Sequence, residues 1–154
     1  MIETKWLFGT QDIKEALDIR YDVFVREQGV AEELEKDEMD AYARHILVYD
    51  NNTPVATGRL YLDGNRFMIG RIAVHKDFRG KGYGDLVVRM MLLKAFELGA
   101  DEVHIHAQMG VRDFYEKRGF TAYGEPYMEA GILHINMKIT KEQGEELFRS
   151  CFGK

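Results

Sequence analysis

Phe67-Met68-Ile69-Gly70-Arg71-Ile72-Ala73-Val74, then His75-Lys76-Asp77-Phe78, then Arg79-Gly80-Lys81-Gly82-Tyr83-Gly84, run into an apolar-striped stretch that ends at Gly99. The order reads as a buried strand, a short turn, a basic glycine-rich loop and a helix. A helix N-terminus carries backbone N–H groups without a partner inside the helix, and the positive end of its dipole. Glycines at 80, 82 and 84 leave no Cβ in the way, so those N–H groups can close on an anion. Arg79 and Lys81 add charge beside them. The stretch is suited to a phosphate-bearing ligand whose body lies along the preceding strand. It lacks the Gly-Lys-Ser/Thr ending of a P-loop and the Gly-x-Gly-x-x-Gly spacing of a dinucleotide site. Asp101-Glu102 open the next strand, whereas a ribose-binding acid would close it. A nucleotide switch and a dinucleotide site are both demoted.

Upstream, Ile2 to Phe8 alternates and stops at Gly9, which predicts a first strand. Ile13, Ala16, Leu17, Tyr21, Phe24 and Val25 fall at helical spacing, and that helix should end near Gly29. Ala31 to Asp40 carries six acids against Lys36; it reads as a solvated helix or loop, or as a negative rim that attracts a cationic amine. Arg44–Tyr49 and Pro54–Leu62 are strand-like around Asp50-Asn51-Asn52, and Asp63-Gly64-Asn65 turns into the strand Arg66–Val74. Strands two to four should form an antiparallel meander. Downstream, the helix should bury Leu86, Val87, Met90, Leu93 and Phe96, with Gly99 as its C-cap. Asp101–Gln108 predicts a fifth strand, parallel to the fourth by a right-handed crossover. Val111–Arg118 is a short helix. Phe120–Met128 and Ile132–Ile139 are two strands around Glu129-Ala130-Gly131, and Thr140 caps a last helix. Splaying of strands four and five would open a notch in which an extended ligand meets the edge of strand four.

The whole chain of 154 residues, 1–154, fits a single domain. A net charge of -5 argues against nucleic-acid binding, though not against an anion held in a local cradle. The lone Cys151 cannot close an internal disulfide and reads as a packing residue. The first residues lack a signal-peptide pattern, and no apolar run is long enough for a membrane span. A cytoplasmic protein without membrane contact is expected.

Phe114-Tyr115-Glu116-Lys117-Arg118-Gly119-Phe120 comes one strand after Arg-x-x-Gly-x-Gly, and the two together resemble the GCN5-related N-acetyltransferase (GNAT) superfamily. Arg20 to Gln28, the spaced acids before His45, and Gly131-Ile132-Leu133-His134-Ile135-Asn136-Met137 resemble its ElaA/YjcF-like branch. The resemblance implies an α+β fold in α/β/α layers: a mixed, mostly antiparallel sheet, with strands four and five parallel and splayed. It implies acetyl-CoA as co-substrate, no metal, and a small-molecule or peptide amine as acceptor. Ile72, Ala73 and Val74 would offer backbone groups to the pantetheine arm. Arg79, Gly80, Lys81, Gly82, Tyr83 and Gly84 would cradle the pyrophosphate. Gln108 stands where many members carry an Asn that contacts the cofactor arm.

An amine attacks only when neutral, so an ammonium must first lose a proton, and the CoA thiolate then leaves. Tyr115 is the expected acid, or else a packed, hydrogen-bonded Tyr. His134 is the expected base, or else a satisfied sheet His, with a water relay to a carboxylate as the alternative. Glu27 and His45 are assigned to the acceptor; Glu27 alternatively pairs with a nearby Arg. His104 and His106 share a strand face, but no third metal ligand stands out. An N-acetyltransferase stands first, a CoA-binding module without turnover second. Transfer to a non-amine acceptor is a more distant third reading; separately, the entry segment bears a faint likeness to acyl-homoserine lactone synthases, for which the chain is short. A homodimer through an edge strand stays open.

Overall fold

A computed structural model of the chain describes residues 1–152, with side chains as far as Arg149. The packing of Cys151 therefore lies outside the described side chains. The alternating stretches become β1 (Ile2–Phe8), β2 (Arg44–Asp50), β3 (Thr53–Asp63), β4 (Arg66–Val74), β5 (Glu102–Gln108), β6 (Thr121–Glu129) and β7 (Ile132–Thr140). Together they make one mixed sheet in the order β1-β2-β3-β4-β5-β7-β6. Every neighbouring pair is antiparallel except β4 and β5, which run parallel as the sequence predicts. Asn51 and Asn52 both take positive φ in the β2–β3 turn, as do Ala130 and Gly131 between β6 and β7.

The helices are α1 (Lys14–Arg20), α2 (Glu32–Glu35), α3 (Tyr83–Glu97), α4 (Arg112–Glu116) and α5 (Lys141–Phe152). α3 packs on one sheet face through Val87, Val88, Met91, Leu92 and Ala95, all fully buried against Ile46, Val48, Val103, Ile105 and Met137. The α3 face differs from the expected one, since Leu93 is half exposed. Apolar side chains cover most of that helix, so periodicity alone underdetermines its buried side. Thr140 and Gln143 cap α5 reciprocally, at 3.2 and 2.9 Å. Leu147 and Phe148 pack on the body as expected.

The opposite face carries α1 and the helical turns that continue it, which set Ala16, Ile19 and Val23 on Leu7, Leu47 and Ala73. α1 does not run as one regular helix to Gly29: residues Tyr21–Glu27 widen into π-helical turns, with Gln28 N–H donating to the Val23 carbonyl at 3.2 Å. The buried stripe is also rotated from the expected one, and Arg20, 1% exposed, sits within it. Among the described residues, no helix is long and apolar enough to cross a membrane.

Candidate active site

β4 and β5 pair only at Phe67–Val103, Met68–His104 and Ile69–Ile105, and then part. The cause lies in β4. Arg71 adopts φ +48°, and the β3–β4 register shifts between Thr57 and Arg59. This bulge bends the second half of β4 away from its parallel neighbour. Backbone groups beyond Ile69 on that side have no ladder partner in β5. A cavity of about 990 Å³ runs through the opening, from the glycine loop at one end to β6 and β7 at the other.

At the loop end, Gly82 caps α3 at φ +85° and Gly80 takes φ +80°. Both conformations are strained for any residue with a Cβ. Leu86 N–H donates to the Gly82 carbonyl at 3.0 Å, the first i→i−4 bond at this end of the helix. The earlier N–H groups of α3 are left to an anion. Ile72, Ala73, Val74, Arg79, Gly80, Gly82, Tyr83 and Gly84 all line the cavity. Lys81 instead lies with its ammonium 5.2 Å from the Phe78 ring centroid. Arg79 is already engaged: Nη1 and Nη2 donate to Glu27 at 2.9 and 2.7 Å, and Nε donates to the Val74 carbonyl at 3.0 Å. Glu27 is thus placed as a salt-bridge partner across the cavity mouth, where Arg79 holds its carboxyl below the usual range. Both side chains are partly solvated, so the pair is weak enough for a competing anion to displace. Gln108 donates to Gln28 Oε1 at 2.8 Å, tying the end of β5 to the π-helical segment.

Tyr115, on α4, lies on the cavity wall and is 6% exposed. Its ring packs edge-on against Phe114 and Phe120. No hydrogen bond from its hydroxyl occurs among the described residues. Burial raises the phenol well above its ordinary value, with Arg118 opposing weakly.

Six charged residues build the floor beneath the other end. Arg20 Nε donates to both Glu35 oxygens at 3.0 and 3.1 Å, and its terminal nitrogens reach Asp40 at 2.7 and 3.0 Å. Arg59 grips Asp37 at 2.5 and 2.8 Å and Asp40 at 2.8 Å. Arg71 reaches Glu35 Oε2 at 2.9 Å and Asp37 at 3.3 Å. Glu35, Asp37 and Asp40 are therefore neither solvated nor a free negative rim; only Glu32, Glu33 and Glu38 remain exposed. His45 belongs to this layer, fully buried, with Nε2 3.0 Å from the Asp40 carbonyl. It does not line the cavity, so its assignment to the acceptor is corrected. Burial lowers its pKa and keeps it neutral.

The β5–β7–β6 part of this face is polar. His134, 6% exposed, has Nδ1 2.7 Å from the Ile132 carbonyl. A carbonyl only accepts, so Nδ1 carries a hydrogen, and in the neutral ring Nε2 presents a lone pair. That nitrogen lies 3.7 Å from Glu129 Oε2. The other Glu129 oxygen is 3.2 Å from His106 Nδ1. Tyr127 stacks on His134 at 6.0 Å, meets His106 edge-on at 5.9 Å, and is anchored through Asn136. His104 points elsewhere, bonded to Tyr123 and Glu102 at 2.8 Å each. Glu129 is a functional candidate that sequence reasoning missed, because it was read as part of the turn. The signal was present: Ala130-Gly131 suffices as a two-residue turn, which returns Glu129 to the strand face shared by Tyr127 and, across the pair, His134.

A mixed sheet opened between two parallel strands, with a phosphate-type loop at the opening, defines a CoA-dependent acyltransferase fold. The family model "Acetyltransferase (GNAT) domain" matches residues 10–141. The chain belongs to the GNAT acetyltransferase family, in its ElaA/YjcF-like branch. It is similar to the uncharacterized protein YyaT of Bacillus subtilis, at 39% identity over 85% of this chain and 89% of that one. The uncharacterized N-acetyltransferase YjcF of the same organism is 34% identical over 82% and 91%. The crystal structure of Escherichia coli ElaA superposes with a TM-score of 0.81 at 30% identity, covering 90% of this chain and 99% of that one. An acyl-CoA N-acyltransferase from Pseudomonas aeruginosa gives 0.82 at 27%, covering 91% and 100%.

Proposed function

We propose that the protein moves an acetyl group from acetyl-CoA to a primary amine, of a small molecule or a peptide, by direct attack in a ternary complex. The observation that carries this reading is Tyr115: a buried side chain whose hydroxyl has no protein partner among the described residues, on the wall of the cavity that begins at the phosphate-type loop.

The residues present fit acetyl-CoA. The free N–H groups at the start of α3 suit a pyrophosphate, and the bulged edge of β4 at Ile72, Ala73 and Val74 suits the amide-bearing pantetheine arm. Arg79 would exchange Glu27 for phosphate. His134 takes one proton from the acceptor ammonium at Nε2. The neutral nitrogen then attacks the thioester carbonyl; a C–N bond forms and the C–S bond breaks. A strand-four N–H serves the oxyanion, the Tyr115 hydroxyl hydrogen-bonds to the departing sulfur, and the second proton, shed by the new amide nitrogen, ends on the thiolate to give free CoA.

The experiment is thiol release from acetyl-CoA across polyamines, aminoglycosides, amino acids, arylamines and short peptides, against a no-acceptor control. Release above control with one class supports the reading and names that class. No release with any of them, in a preparation that binds acetyl-CoA, favours a CoA-binding module instead.

A further inference from the structure

We infer that Glu129 Oε2 and His134 Nε2 form the seat of the acceptor's ammonium, and that the acceptor is a cationic aliphatic amine. This inference rests on the transfer reading for its name of acceptor, but its geometry stands by itself.

Five acids line the cavity: Glu27, Glu35, Asp37, Asp85 and Glu129. Arg79 neutralises Glu27. Arg20 and Arg71 hold Glu35, while Arg59 and Arg71 hold Asp37. Asp85 is bracketed by Arg89 and Arg118 at 2.8 and 2.7 Å. Glu129 alone has no arginine or lysine within ion-pair distance among the described residues; its neighbours are two histidines. The negative charge offered to a ligand is therefore concentrated there, half-buried, where water screens it less than at an exposed surface.

The hydrogens sharpen the point. His106 Nδ1 faces a carboxylate oxygen that can only accept, so His106 donates to Oε1. His134 spends its hydrogen on the Ile132 carbonyl. With the His134 ring neutral, Oε2 and Nε2 are two acceptors facing one another at 3.7 Å. A group with several N–H donors and a positive charge completes this arrangement, and a primary ammonium has three. The stacked Tyr127 ring and the Ile132 carbonyl fix the His134 orientation, so the lone pair is already aimed. Proton removal follows from the same contact: the ammonium passes a proton to Nε2, and the imidazolium then closes on Oε2. Leu34, Met39 and Tyr61 line the same end and suit an apolar body.

The test uses the full-length protein saturated with CoA. Imidazole resonances of His106 and His134 are followed by NMR during titration with n-pentylammonium chloride, with pentan-1-ol as the uncharged twin. Saturable shifts at both histidines are expected with the ammonium. In Glu129→Gln, which keeps the side-chain shape, the ammonium should bind about 10- to 100-fold more weakly, the span expected for a charge-assisted contact. Glu129→Asp, which keeps the charge one methylene short, should lose less. CoA affinity and thermal midpoint serve as controls for both. An equal response to the alcohol, no saturable response to the ammonium, or undiminished binding in both variants overturns the seat. Absence of thiol release with every amine would remove the transfer reading and leave this result untouched.

Discussion

Tyr115 shows how a single burial decides a role. Its ring is packed between Phe114 and Phe120, and this burial penalises the phenolate and raises the pKa above its ordinary value near 10. The phenol therefore stays protonated at any working pH. Complete proton transfer to a thiolate, whose conjugate acid titrates near ~8.5, runs uphill from such a phenol. Its contribution is a hydrogen bond that strengthens as charge develops on sulfur. Tyr115→Phe should lower kcat by about 10- to 100-fold, the worth of a hydrogen bond to a charged group, and leave the KM for acetyl-CoA unchanged. Steady-state kinetics at saturating acceptor read both numbers; an unaltered kcat removes Tyr115 from the chemistry. The residue was legible because it stands inside Phe-Tyr-Glu-Lys-Arg-Gly-Phe. Glu129 was not, because its meaning comes from two histidines at 106 and 134, brought together only by the β5–β7–β6 register.

At the scale of elements, the glycine loop and the arginine layer make opposite demands on the sequence. Gly82 holds φ +85° at the N-cap of α3 with nothing near its Cβ position, so backbone conformation is what requires glycine there. Gly84 has an ordinary φ, and an added methyl would meet Phe114 and Val74 at 3.6 and 3.7 Å, an ordinary contact. Gly82→Val should abolish acetyl-CoA binding by calorimetry, while Gly84→Ala should keep the fold; unchanged affinity in Gly82→Val refutes the loop assignment. The arginine layer is a matter of pairing. Arg20 is the buried hub between Glu35 and Asp40, and Arg20→Met leaves both carboxylates short of a partner. Urea unfolding should show a loss of about 3–5 kcal/mol, as expected for breaking a buried pair from one side. An unmoved midpoint would mean that the layer contributes nothing to stability. Strands and turns were readable from alternation and from the Asp-Asn-Asn, Asp-Gly-Asn and Glu-Ala-Gly stretches. The π-helical turns, the bulge at Arg71 and the buried arginines were not. Local pattern treats an arginine as a solvent-facing residue, whereas acids at distant positions bury Arg20 and Arg59 and half-bury Arg71.

For the whole molecule, the same burial that shapes the cavity confines stability to a window of pH. On the acid side, burial lowers His45 and His104 below their ordinary value, so the unfolded chain binds protons that the folded chain refuses. Their contribution is complete above about 6.5 and is lost as pH falls through their lowered folded values. A second loss should begin below about 4, because Asp37, Asp40 and Glu129 are all held below the usual carboxylate range, with arginine or histidine partners favouring their ionised form. On the alkaline side the sign reverses. Burial pushes Tyr49 and Tyr127 up to about 12, and raises Tyr115 as well. The folded chain then holds protons that the unfolded chain releases, so their contribution is full below about 10 and is lost as pH rises through the raised values. The thermal midpoint should therefore form a plateau between about pH 6.5 and 10 and fall on both sides. Calorimetric midpoints across that range check it, and Tyr115→Phe separates the two limbs: it should shrink the alkaline fall and leave the acid fall as it was. A midpoint that holds level from the plateau into the acid range would mean that buried His45 and the arginine-bound acids titrate as they do in the unfolded chain. An alkaline fall identical in Tyr115→Phe would assign that limb to other groups.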